Sequence, residues 1–151
     1  MPALITFGRV LFAVLFIYLG ATKLFAVDAA AEFISAKVTI PDALAPYVKQ
    51  VEAATNMTMP QLLAIAAGIF EIIAGLMIAL NFAARFFAIT LIFYVAAATF
   101  YLYDFWNQTA SENSRTLIVD ALKNLSIIGG LFMIAGYGRG PRAVDAVYGD
   151  A

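Results

Sequence analysis

The residues that could do chemistry in this sequence are few, and they stand where ionisable groups are costly. Glu71 lies in the middle of Leu62–Leu80, an otherwise uncharged apolar run. Lys23 stands near the end of an earlier apolar run, Asp104 and Trp106 follow a third, and Lys123 and Asn124 precede the apolar half of a fourth. An acid at the centre of a membrane helix costs about 2.5–3.5 kcal/mol on insertion scales, so it is rare without a partner or a task. A carboxylate in such a place can close an ion pair, hold a polar ligand, or take up and release a proton.

Composition excludes most other chemistry. With no cysteine and no histidine, the chain cannot form disulfides, thiol relays, Cys-ligated iron–sulfur clusters, His-ligated haem or an ordinary zinc site. The sequence has no nucleophile–base pair, phosphate loop or metal cluster, so autonomous catalysis is not expected. A redox role would need a bound quinone or flavin, or a partner subunit. Nine Lys/Arg are scattered among ten Asp/Glu for a net charge of −1, which leaves no basic face for nucleic acid. The 64% apolar and 13% charged residues lie far from the roughly 45–50% and 25% of soluble domains. The lipid bilayer is therefore the expected surrounding.

Four stretches are long enough to position these residues across a membrane. They run over about 4–26, 60–80, 84–103 and 117–137, each near the ~20 residues that a bilayer requires. The first is longer than a signal-peptide core and carries Lys23 where cleavage would be prepared, so it reads as a span. Between the first two spans, 27–59 is polar and Ala-rich. It holds two expected amphipathic helices, one over 29–36 and one starting near Pro41 with Leu44, Tyr47, Val48 and Val51 on one stripe. Helices of that kind lie on the membrane surface or cap a bundle. The expected fold is all-α: a polytopic, four-transmembrane-helix antiparallel bundle, a single domain over 1–151, with the short helices in the first extracytoplasmic loop. Arg9, Arg85, Arg139 and Arg142 fall on one side, which places both termini in the cytoplasm by the positive-inside rule.

The faces of these spans indicate what Glu71 meets. Ala64, Gly68 and Gly75 share its stripe, and small residues on one stripe let membrane helices approach closely. Arg9, Ala13, Phe16, Gly20 and Lys23 form a similar stripe on the first span. Side chains lean toward the N-terminus of their own helix. In an antiparallel pair Glu71 therefore leans outward and Lys23 inward, so their tips converge. Lys123 is the second candidate partner, and Arg9 reads as a snorkelling residue at the span end. Lys23, Glu71, Asp104, Trp106, Lys123 and Asn124 could line one outward-opening cavity with Glu71 at its floor. They could equally form an internal charge network that fixes helix order.

Several segments together resemble the DoxX family of small bacterial membrane proteins. They are an Arg near the start of the first span followed by Leu19-Gly20-Ala21-Thr22-Lys23-Leu24, then Glu71-Ile72-Ile73-Ala74-Gly75-Leu76, Asp104-Phe105-Trp106, and Leu122-Lys123-Asn124-Leu125-Ser126-Ile127-Ile128-Gly129-Gly130-Leu131. Family members often carry a His just before the Asp-Phe-Trp segment, and Tyr103 stands there in this chain. The resemblance implies a four-helix fold in the bacterial inner membrane. By association it also implies links to quinone-coupled sulfur oxidation and to oxidative-stress complexes. The resulting expectation is an accessory subunit or small-ligand binding protein, with quinone as the candidate ligand and redox subunits or a second copy as candidate partners. A small proton-coupled transporter and a purely structural assembly subunit are the alternatives.

Overall fold

The computed structural model describes residues 2–102 and 112–137. The described residues form six α-helices: α1 (Pro2–Phe25), α2 (Val27–Ser35), α3 (Ala45–Thr55), α4 (Met59–Ala79), α5 (Ala84–Leu102) and α6 (Glu112–Tyr137). Among the described residues there is no strand. Among the described residues, four helices are long and apolar enough to cross a membrane: α1 from Ala3, α4, α5, and α6 from Arg115. At 1.5 Å per residue the 21 residues of α4 rise about 31 Å, which matches the ~30 Å hydrocarbon core. The chain is an integral membrane protein.

Local chemistry sets the helix boundaries. Thr58 and Gln61 form a capping box at the start of α4, with Pro60 in its first turn; the Thr58 N–H donates to Gln61 Oε1 at 2.9 Å. Such reciprocal capping satisfies N–H groups that the helix leaves unpaired. The amide of Gln61 also donates to Asp28 Oδ1 at 2.9 Å, which ties α2 to the head of α4. The short helices begin elsewhere than expected. Only Ala26, at φ −131° and ψ 56°, separates α2 from α1, so α2 starts two residues early. Pro41 precedes a 3-10 turn over Asp42–Leu44, and Pro46 occupies the first turn of α3, where a missing N–H costs nothing.

Spans α1 and α4 run antiparallel, and so do α5 and α6: Thr99 accepts from Asn124, while Arg85 Nε, at the opposite end of α5, donates to Ala135 O at 3.0 Å. All four spans feed one core, with Ala13 and Phe16 from α1, Ile78 from α4, Leu91 from α5 and Leu131 from α6 buried against one another. Large apolar residues such as Leu11, Phe86, Phe93 and Phe132 face outward, as lipid-facing residues should. Lipid supplies no hydrophobic drive between helices, so close packing must hold them together.

A closed ion cluster at mid-membrane

Small residues decide where α1 and α4 touch. A Cβ built on Gly20 would lie 2.5 Å from Gly68 O and 2.8 Å from Ile72 Cγ1, and one on Gly68 would lie 2.9 Å from Gly20 O. Two turns further in, a Cβ on Gly75 would meet Ile17 Cγ1 at 3.0 Å and Ala13 O at 3.1 Å. Ala64, Gly68, Glu71 and Gly75 are all buried. The stripe of small residues around Glu71 is thus the seam on which α1 lies, and backbone meets backbone where the two charged side chains cross.

Glu71 is 3% exposed, and two side chains give its carboxylate three hydrogen bonds. Lys23 Nζ donates to Oε2 at 2.7 Å and to Oε1 at 3.0 Å. The hydroxyl of Tyr94 on α5 donates to Oε1 at 2.7 Å. Lys23 Nζ also lies 3.4 Å from Leu19 O, one turn back on its own helix. The lysine side chain, 27% exposed, therefore leans inward across the Gly20–Gly68 contact while Glu71 leans outward to meet it. Tyr94 packs its ring on Phe70 at 5.3 Å between centroids, which fixes the phenol beside the carboxylate.

The remaining sequence candidates are placed differently. Lys123 does not reach Glu71; it is 67% exposed and pairs with Asp120 at 2.9 Å, one turn away on α6. A one-residue step turns a helix by about 100°, so Asn124 faces α5 while Lys123 faces out. Asn124 donates to Thr99 Oγ1 at 2.9 Å, and Thr99 in turn donates to Val95 O at 2.6 Å. Asp104 and Trp106 lie outside the described residues. Arg9 donates to Asn81 Oδ1 in the α4–α5 connection, at the opposite end of α1 from Lys23, and takes no part in the cluster. Sequence reasoning did not pair Tyr94 with Glu71. The nearest signal was the short connection after α4: an antiparallel return through residues 80–83 reflects position 71 onto about position 92, within one turn of Tyr94.

A satisfied carboxylate, a paired ammonium and a phenol constitute a charge-neutral knot joining three spans. Among the described residues no group of three or more His, Cys, Asp or Glu could hold a metal ion. Between α5 and α6 runs a groove of about 310 Å³ lined by residues such as Ala96, Phe100, Leu122 and Leu125; it is apolar and lies apart from Glu71.

Comparison with known proteins is consistent with this architecture. The DoxX family model matches residues 4–104, a stretch that contains Lys23, Glu71 and Tyr94. The chain is 26% identical over 144 residues, covering 95% of its own length and 89% of the relative's, to a protein of Escherichia coli (strain K12) described as inner membrane protein YphA. No solved structure gives a significant match.

Proposed function

Because the chain belongs to the DoxX family, we propose that it is an accessory subunit of a membrane redox assembly, whose central ion cluster orders its helices and performs no reaction itself. The subunit is one membrane domain over residues 1–151. It sits in the inner membrane, as the Escherichia coli relative's description suggests. Both termini face the cytoplasm, a reading supported by Arg9 and Arg85 at the ends of their spans. The redox character of the assembly rests on the associations that the family resemblance carries.

One observation carries the ordering role. An ammonium has three N–H bonds, and Lys23 Nζ has three acceptors within reach, all in this chain: both oxygens of Glu71 and the carbonyl of Leu19. No donor remains to turn toward a quinone carbonyl, and a carrier proton would have to displace a bonded ammonium from Glu71. A ligand-binding or proton-coupled role would first have to break the cluster, whereas an ordering role needs it intact.

The test uses Lys23→Met combined with Glu71→Gln in the full chain, purified in mild detergent. The double variant is expected to unfold at a higher midpoint than either single variant, and to keep its co-purifying proteins and the wild-type amount of co-extracted quinone. A double variant that folds normally yet loses bound quinone, or loses a quinone-dependent rise in unfolding temperature seen for the wild type, would assign the cluster to a ligand instead.

A further inference from the structure

The segment between α1 and α4 contains a helix whose apolar face the rest of the described chain leaves uncovered. Leu44, Tyr47, Val48 and Val51 follow one another at helical spacing along α3 and the turn before it. Leu44, Tyr47 and Val51 are exposed, Tyr47 by 68%. Ala53 lies on the opposite face, about 180° around the helix from Leu44 at 100° per residue. Lys49 and Glu52 leave α3 without net charge.

Its height is fixed by α4. The rise of α4 matches the hydrocarbon thickness, so Met59 stands at the outer edge of the apolar layer. Glu52 Oε1 accepts the Met59 N–H at 2.7 Å, and Asn56, at φ 54°, reverses the chain between the two helices. The last turns of α3 are thus held within one side chain's reach of that edge.

From this height and this uncovered stripe we infer that α3 is an interfacial helix, lying in the outer headgroup layer with its Tyr47 face in lipid. Helices of this type bury their apolar side about 5–10 Å into the boundary between headgroups and acyl chains. Tyrosine suits that depth, with its ring in the apolar zone and its hydroxyl among headgroups. The contact is apolar, so it does not depend on anionic lipid. It makes the extracytoplasmic segment a membrane-lying strap and not a domain projecting into solvent.

The absence of cysteine permits a direct test. Single cysteines at Tyr47, Val51 and Ala53 in the full chain would each be spin-labelled and reconstituted into phosphatidylcholine vesicles with and without phosphatidylglycerol. Each label would be read by its collisions with oxygen, which concentrates in the bilayer, and with a water-soluble nickel chelate. The labels at 47 and 51 should favour oxygen and the label at 53 the chelate, equally in both lipid mixtures. If Tyr47→Cys disturbs folding, Val51→Cys reads the same face. Chelate access at all three positions would place α3 in solvent, and protection from both reagents at 47 and 51 would place it against protein; either result overturns the inference.

Discussion

Replacing Gly20 by alanine tests whether backbone contact between α1 and α4 is what brings Lys23 and Glu71 together. The added Cβ would sit 2.5 Å from Gly68 O, about 0.9 Å short of the 3.4 Å at which ordinary contact begins. A backbone carbonyl cannot swing aside as a side chain can, so the helices must part. A separation of that size would carry the 2.7 Å bond between Lys23 and Glu71 to about 3.6 Å, beyond hydrogen-bond range. Overpacking of this kind costs about 1–3 kcal/mol, and loosening the ion pair adds to it. Unfolding in mixed micelles by titration with a denaturing detergent, followed by far-ultraviolet circular dichroism, would measure the loss. The same substitution at Gly129, where a Cβ would meet nothing within 4 Å, is the control and should change little. In the Lys23→Met, Glu71→Gln background, Gly20→Ala should cost less, because only the steric part remains. Equal midpoints for Gly20→Ala and Gly129→Ala would refute the reasoning.

Other substitutions probe individual supports. Tyr94→Phe removes one hydrogen bond to Glu71 while keeping the ring on Phe70. It should cost about 0.6 kcal/mol and no more than about 1.7, the average and the largest value found for hydrogen bonds between membrane helices, in the same unfolding titration. Thr58→Ala removes the cap of α4 and should cost about 1 kcal/mol, seen as faster amide exchange over the first turn of that helix. Ala83 has φ 47° in the α4–α5 connection, a conformation that penalises a Cβ. Ala83→Gly should therefore raise stability by up to about 1 kcal/mol before the added backbone freedom of glycine is deducted, and a clear loss would contradict the local geometry.

The four spans were legible because lipid imposes a length and an apolar composition that a sequence must display. Lys23 was legible as the partner of Glu71 because two facts sufficed: both residues lie on small-residue stripes, and antiparallel helices lean their side chains toward each other. Tyr94 was hidden by its type, since tyrosines in membrane proteins commonly anchor at the interface and α5 lacks a small-residue stripe of the α4 kind. Lys123 looked plausible because it begins the fourth span on the same side as Lys23, but the face that turns Asn124 toward Thr99 turns Lys123 out to Asp120. Pro41 and Pro46 both suit a helix start, and only backbone geometry separates the 3-10 turn after the first from the α-helix that contains the second.

The most direct measurement is the coupling between Lys23 and Glu71 in a double-mutant cycle of unfolding free energies. Removing one partner of a buried ion pair costs about 3–5 kcal/mol because the other charge is left uncompensated. Lys23 keeps 27% of its side chain exposed, so each of Lys23→Met and Glu71→Gln should fall near or below the lower end of that range. The closed cluster predicts that the double variant is more stable than either single variant. Two additive losses, with the double variant the least stable of the three, would contradict it.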